Sequence, residues 1–193
     1  MAFGDSATWG VGAGRNCVQS SRHARPLAAH APGTSDTTYP AILGRSLHLT
    51  VLDYGVRGES TDSGLQRIAR VLAATQPSEV LVLEGFQDLI RGDTPAVIAS
   101  RLVLVGQLIQ SYGARPVLLT LYPPSPSRLA GGKIRSLDGF IRNQSRLRGF
   151  LVIDLSNVFR RKAHVLSAGL YPNDTGYAVL ARAIAAGLRH GRG

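Results

Sequence analysis

The sequence predicts an α/β fold: a flavodoxin-like three-layer α/β/α sandwich built on a five-stranded parallel sheet. Two observations favour it. Apolar runs of strand length alternate with longer segments of helical spacing, and no internal repeat interrupts the alternation. The length of 193 residues, 44% of them hydrophobic, fits one compact domain over residues 1–193.

The strand candidates are the short apolar runs, at residues 1–3, 47–52, 80–83, 117–121 and 150–155. In a parallel sheet their carboxyl ends meet at one edge, and ligand sites of open α/β sheets lie along that edge. The segments that follow these strands are therefore where we expect functional residues.

The most regular helical segment begins at Pro95, with Thr94 as its cap and Gly113 as its stop. Its apolar side chains fall at helical spacing and are Val97, Ile98, Leu102, Val105, Leu108 and Ile109. Weaker versions of this pattern predict helices at residues 39–46, 61–74, 134–147 and 174–188. Asp174 is the expected N-cap of the last one.

Two loops are expected to border the carboxyl edge of the sheet. Residues 10–38 are rich in Gly, Ser, Arg and His and are long for a connection in a compact domain, which is typical of a functional or mobile segment. Residues 122–127 carry three prolines directly after a strand, so they cannot be helical throughout.

Several functional classes are disfavoured. The sequence contains no run of about 18 apolar residues, which a membrane span would need. The lone Cys17 has no partner for a disulfide or redox pair. No metal-ligand cluster or phosphate-cradling glycine loop is present, so we expect no cofactor and no metal.

The amino terminus bears on localisation. It lacks the basic and apolar regions of a signal peptide, so the chain as written is expected to stay in the cytoplasm. A first strand of three residues is short for the centre of a parallel sheet. That shortness favours a natural chain that begins further upstream, with room for a trimmed export signal.

The net charge of +10 raises the alternative of nucleic-acid binding. The arginines are scattered, however, and the densest basic group is only residues 160–162. No aromatic-rich platform or zinc-finger spacing accompanies them. We therefore expect a solvated basic surface and no nucleic-acid partner.

Three motifs follow successive predicted strands. Phe3-Gly4-Asp5-Ser6 turns from a strand and would expose the Ser6 hydroxyl at the sheet edge, as an attacking oxygen requires. Gly55-Val56-Arg57-Gly58-Glu59-Ser60-Thr61 follows the second strand and would present a backbone N–H at Gly58. Glu84-Gly85-Phe86-Gln87-Asp88 follows the third and brings the amide of Gln87 to the same edge. Each motif alone is also compatible with an ordinary turn, in which Asp5 ties the backbone and Asp88 orients its loop.

Taken together and in this order, these motifs resemble the SGNH/GDSL ester hydrolases. Further segments that resemble the family's connections are Tyr39-Pro40-Ala41, Leu121-Tyr122-Pro123-Pro124 and Pro172-Asn173-Asp174, so the likeness covers nearly the whole chain. The resemblance implies the SGNH hydrolase fold, with Ser6 as nucleophile. It also implies an oxyanion hole formed by the N–H groups of Ser6 and Gly58 and the side chain of Gln87.

Departures from the family pattern fall on the remaining catalytic positions. Gln87 stands where the family has Asn, and its amide is one methylene further out. The family's Asp-x-x-His, directly before Pro-Asn, is replaced by Ala168 and Tyr171. A serine needs a base that titrates near neutral pH, and a tyrosine with a pKa near 10 is protonated there.

Other histidines are candidates to replace the missing base. His164 precedes Tyr171 by seven residues, and His23 and His30 lie in the long loop that begins beside Ser6. Each is equally compatible with an ordinary surface histidine. His48 alternates with residues of a predicted strand, and His190 lies in a basic tail, so neither is favoured.

Two functions remain open. One is an impaired or rerouted esterase or acylhydrolase, acting at Ser6 on a small-molecule ester or acylated carbohydrate. The other is a catalytically inactive relative that binds such a ligand or serves as a scaffold.

Overall fold

The structure, a computed structural model, describes residues 1–14, 36–125, 131–159, 163–167 and 169–191. The strands of its main sheet are β1 (Ala2–Gly4), β2 (Asp53–Gly55), β3 (Glu79–Leu83), β4 (Arg115–Leu119) and β5 (Leu151–Ile153). All are parallel, in the order β2-β1-β3-β4-β5. This is the flavodoxin-like order, and the predicted fold class is confirmed.

Helices cover both faces of this sheet. In the described ranges they are α1 (Ser6–Trp9), α2 (Tyr39–Leu47), α3 (Thr61–Thr75), α4 (Phe86–Arg91), α5 (Pro95–Ser111), α6 (Gly131–Arg148) and α7 (Asp174–His190). Helices α3, α5 and α6 pack together in one layer, and α2 packs against α7 in the other. The core lies between these layers, around the buried side chains of β1, β3 and β4.

The prediction of a strand at residues 47–52 is wrong. Helix α2 continues through Leu47 and ends at His48, whose φ of 53° lies in the left-handed region typical of helix ends. Pairing with β1 begins only where Asp53 lies opposite Ala2. The apolar residues of this segment thus complete a helix and its connection, and the strand comes after them.

The predicted start of α5 is confirmed. The Thr94 side chain accepts a hydrogen bond from the backbone N–H of Val97, at 3.4 Å, and Pro95 occupies the first turn. The remaining predicted helices are present, with their ends shifted by one to three residues.

The N-cap of α7 is Asn173 and not Asp174. The Asn173 side chain accepts from the N–H of Gly176 at 3.0 Å, so Asp174 is already helical. The Asp174 carboxylate instead accepts hydrogen bonds from the N–H of Gly14 at 2.6 Å and the hydroxyl of Thr37 at 2.7 Å. It therefore holds both described ends of the long loop.

Parts of the expected site lie outside the described residues. These are residues 15–35, with Cys17, His23 and His30; the basic group at 160–162; and Ala168. Over the described ranges, no helix combines the length and apolar character needed to cross a bilayer.

Candidate active site

Ser6 is the first residue of α1, directly after β1, and not part of the strand-to-loop turn expected from the sequence. It is 3% exposed. The backbone N–H of Gly58 donates a hydrogen bond to Ser6 Oγ at 2.8 Å. Gly58 has a φ of 75°, which favours glycine, and the space around its missing Cβ is open. The structure thus brings together the first two predicted site residues.

The loop that carries Gly58 is held at both of its sides. The N–H of Val56 donates to the carbonyl of Gly4 at 2.9 Å, which ties the loop to the end of β1. The guanidinium of Arg91, the last residue of α4, donates to the carbonyl of Gly58 at 3.2 Å. These contacts fix the peptide whose N–H faces Ser6.

Asp5 shapes the turn that presents Ser6. Its carboxylate accepts from the N–H of Ala7 at 2.9 Å and caps α1, as expected for a residue that ties the turn. Burial raises the pKa of Asp5 to about 7, against the opposing effect of hydrogen bonds from the backbone of Ala7 and Phe86. The carboxyl group is 1% exposed, so its role is local and structural.

Asp88 joins the second and third motifs. Its carboxylate accepts from the backbone N–H of Thr61 at 3.0 Å and from the Thr61 hydroxyl at 2.7 Å. The guanidinium of Arg101 lies 3.5 Å from the same carboxylate. Asp88 therefore orients its loop, as the sequence indicated, by anchoring it to the start of α3.

Gln87 lies in the first turn of α4, two residues after Gly85, and is half-buried. Its side-chain amide makes no recorded hydrogen bond with the residues that the structure describes. The amide is therefore available at the carboxyl end of β3, the neighbour of β1 in the sheet.

Tyr171 lies beside Ser6. It belongs to β7 (Tyr171–Pro172), which pairs antiparallel with β6 (Leu166–Ser167). Helix α1, which carries Ser6, and β7, which carries Tyr171, are in contact. Burial raises the pKa of Tyr171 above its usual value, and the nearby Ser6 side chain opposes that rise without cancelling it. At neutral pH the phenol therefore stays protonated and cannot accept the Ser6 proton.

His164 lies in a short 3-10 helix, Ala163–Val165, and its side chain is exposed. Its backbone carbonyl accepts from the Asn173 side chain at 2.9 Å. Within the described part of the chain, its imidazole has no recorded hydrogen bond to Ser6. The structure therefore leaves His164 near the same hairpin but brings Tyr171, and not His164, to the serine.

A buried charged group behind the site was not predicted. The Arg67 guanidinium pairs with both oxygens of Glu59, at 2.8 and 2.5 Å, and lies 4.2 Å from the centre of the Phe3 ring. Burial, reinforced by the neighbouring Glu59, raises the pKa of Glu84 well above its usual value. Glu84, directly after an apolar strand, was the available signal, whereas Arg67, the partner of Glu59, lies in a helical pattern that does not mark it.

Comparison with known proteins agrees with this architecture. The sequence profile of the GDSL-like Lipase/Acylhydrolase family matches residues 2–179. An arylesterase of Vibrio mimicus is 33% identical over 84 residues, which are 44% of this chain and 42% of that protein. The chain thus spans less than half the length of this relative.

Solved structures of similar fold are found among bacterial hydrolases. A putative lipolytic protein of the G-D-S-L family from Desulfitobacterium hafniense superposes with a TM-score of 0.75 at 19% identity, over 96% of this chain and 97% of the other. A lipase/acylhydrolase from Enterococcus faecalis superposes with a TM-score of 0.74 at 21% identity, over 96% of this chain and 92% of the other. With the match of the family profile over nearly the whole sequence, these likenesses identify the chain as a member of the GDSL-like lipase/acylhydrolase family.

Proposed function

We propose that this chain is a serine ester hydrolase whose turnover is slowed by the lack of a base beside Ser6. The observation that carries the proposal is the 2.8 Å hydrogen bond from the Gly58 N–H to Ser6 Oγ. A donor this close to the serine oxygen can reach the oxygen of a carbonyl group that Oγ attacks.

The reaction divides into two steps. Ser6 Oγ bonds to the ester carbonyl carbon, the bond to the alkoxy oxygen breaks, and the alcohol leaves with the proton of the serine. Water then attacks the acyl-serine, which releases the carboxylic acid and regenerates Ser6. The N–H of Gly58 and the amide of Gln87 stabilise the negative oxygen that forms in each step.

What limits the rate is proton removal from Ser6. A positioned general base contributes about 10²–10⁴ in rate. Tyr171 occupies the contact that a base would need, but its raised pKa keeps it protonated. An oxyanion hole and substrate binding alone sustain about 10³–10⁴ over the reaction in water. We therefore expect slow but serine-dependent cleavage of activated esters such as 4-nitrophenyl acetate.

Hydrolysis of that ester by the wild-type chain and by Ser6→Ala tests the proposal. Ser100→Ala is the matched control, because Ser100 is an exposed serine in α5 that bonds only within its own helix. We expect Ser6→Ala to fall to the background rate and Ser100→Ala to behave like the wild type. Equal rates for all three proteins would overturn the nucleophile assignment.

His164 remains the candidate for a substitute base. A general base that titrates produces an inflection in the pH profile of the rate. If such an inflection is present and is removed by His164→Gln, His164 is the base; if it persists, another group is responsible.

A second candidate function is ligand binding without turnover. The position of Tyr171 favours it, because its protonated phenol lies next to Ser6, where a base would have to accept the serine proton. This function predicts no serine-dependent hydrolysis, yet binding of an ester or of its products near Ser6.

A further inference from the structure

Two arginines flank the peptide that faces Ser6. Arg57 immediately precedes Gly58, whose N–H donates to Ser6, and is exposed. Arg91 is also exposed and donates to the carbonyl of Gly58 at 3.2 Å. One arginine is therefore joined by the chain, and the other by a hydrogen bond, to the residue that faces Ser6.

The acidic groups nearby are paired with other arginines. Arg101 lies 2.6 Å from Asp93, 3.5 Å from Asp88 and 4.0 Å from Asp62. Glu59 is held by Arg67 at 2.5 Å. Across the described ranges, no carboxylate forms an ion pair with Arg57 or Arg91.

The buried acids beneath the site do not cancel this positive charge. Burial and the nearby Glu59 raise the pKa of Glu84 well above its usual value, which disfavours its negative charge. Burial raises the pKa of Asp5 to about 7, so Asp5 is only partly charged at neutral pH. The exposed side of the loop is thus positive.

We propose that Arg57 and Arg91 select esters that carry a carboxylate close to the scissile bond. A guanidinium binds a carboxylate through paired, charge-assisted hydrogen bonds, which an exposed lysine or a neutral donor does not reproduce. This inference rests on the proposed function for its chemistry, but the selection of an anion is measurable by binding alone.

The test compares 3-acetoxybenzoate with the neutral 3-acetoxybenzamide, which has the same shape around the ester. Hydrolysis of both is measured with the wild type, Arg57→Gln, Arg91→Gln and the double variant. Each single variant loses one ion pair with the substrate carboxylate, which is expected to raise KM for the anionic ester about two- to fivefold. The double variant should raise it roughly tenfold. KM for the neutral ester should stay within about twofold in Arg57→Gln. Because Arg91 also holds the Gly58 peptide, its variants are judged by the ratio of kcat/KM for the anionic ester to kcat/KM for the neutral ester. Added salt should weaken the preference of the wild type for the anionic ester, and should have little effect on the double variant, which has lost that preference.

Two further variants separate charge from structure. Arg189→Gln removes an arginine from the last turn of α7, about 22 Å along the helix from its first residue, and should leave the preference unchanged. Arg91→Lys keeps the charge and should retain part of the preference. If Arg189→Gln lowers the preference as much as the loop variants do, the effect belongs to the net charge and the proposal is wrong.

The side of the ester that carries the anion is distinguished by a second pair of substrates. The 4-nitrophenyl monoester of adipic acid places the carboxylate on the acyl side, whereas 3-acetoxybenzoate places it on the leaving group. A preference for either anionic ester over its neutral counterpart, 4-nitrophenyl hexanoate for the acyl pair, supports the proposal. Equal kcat/KM within both pairs would contradict it.

Binding to the Ser6→Ala variant keeps the inference separate from the proposed hydrolysis. We expect 3-hydroxybenzoate to bind more tightly than 3-hydroxybenzamide, and the difference to be lost in the Arg57→Gln, Arg91→Gln background. That result would support anion selection even if no protein hydrolysed any ester. Equal binding of the two compounds would overturn it even if Ser6-dependent hydrolysis were observed.

Discussion

The N–H of Gly58 donates to the hydroxyl oxygen of Ser6 at 2.8 Å, across 52 positions of sequence. The contact exists because β1 and β2 are neighbours in the sheet, so the segments that follow them meet at one edge. Tyr171 also lies close to Ser6, and burial raises the pKa of its phenol. Under the proposed function, Ser6 and Gly58 supply half of a hydrolase site, and the group next to Ser6 cannot accept a proton at neutral pH.

Replacement of Tyr171 by phenylalanine tests whether its hydroxyl takes part in proton transfer. Tyr171→Phe keeps the ring and removes the phenolic hydroxyl near Ser6. Because the phenol is protonated at neutral pH, we expect the serine-dependent rate on 4-nitrophenyl acetate to change by no more than roughly threefold. A loss of about 100-fold, the size of a general-base contribution, would show that Tyr171 acts as a base.

The close packing of Gly64 against Glu84 predicts a large effect of one added methyl group. A Cβ at Gly64 would lie 2.6 and 2.7 Å from the two carboxylate oxygens of Glu84. We expect Gly64→Ala to lower the free energy of unfolding by about 1–3 kcal/mol, as measured by urea denaturation. Gly139→Ala is the control, since Gly139 is helical, exposed and has nothing within 4 Å of its Cβ position. It should raise the free energy of unfolding by about 0.5–1 kcal/mol, and equal effects would contradict the packing.

The buried ion pair of Arg67 and Glu59 predicts a strong coupling. Arg67→Met leaves Glu59 buried without its partner, which costs about 3–5 kcal/mol in comparable sites. The further change Glu59→Gln removes the uncompensated charge and should recover part of that loss. Denaturant unfolding of the two single variants and the double variant measures the coupling. Additive effects would mean that the pair does not interact in solution.

The partly buried Asp53, whose Oδ2 is shielded from solvent, predicts that stability falls as the pH rises. Burial raises its pKa from 3.8 to about 7 in the fold. Between these values the folded state binds more protons than the unfolded state, so the free energy of unfolding decreases from about pH 4 to about pH 7. Asp53→Asn removes this contribution. Above pH 7 we expect the free energy of unfolding of the variant to exceed that of the wild type by on the order of 2 kcal/mol. Near pH 4 this difference should disappear.

Thermal or urea unfolding across this pH range measures that difference. Burial also raises the pKa of Asp5 to about 7 and that of Asp138 to about 6. The free energy of unfolding of the variant should therefore still decrease with rising pH, but less steeply than that of the wild type. Parallel profiles for the wild type and Asp53→Asn would show that Asp53 ionises normally in the fold.

Much of the architecture is predictable from the sequence because it rests on local signals. The cap and first turn at Thr94 and Pro95 specify the start of α5, and buried runs specify β3 and β4. The end of α2 at His48 is not readable in this way. Its apolar residues fit a strand as well as a helix, and only the pairing of Ala2 with Asp53 decides between them.

The site is predictable only where a motif carries it. Ser6 and Gly58 follow from their glycine-rich turns, and the structure places them in contact. The pairing of Arg67 with Glu59 and the bond between Arg91 and Gly58 join helical arginines to the loop between β2 and α3. No local pattern marks such contacts, because they depend on how helices pack on the sheet.

The most direct measurement is ester hydrolysis by the combined variant Ala168→Asp and Tyr171→His, compared with the wild type across pH. The account holds that Ser6 and Gly58 form a working half-site that lacks only its base. It predicts a gain of about 100-fold or more in kcat/KM for 4-nitrophenyl acetate, with an inflection near pH 6.5 and complete loss when Ser6→Ala is added. A correctly folded variant with no gain, or a gain that survives Ser6→Ala, would contradict it.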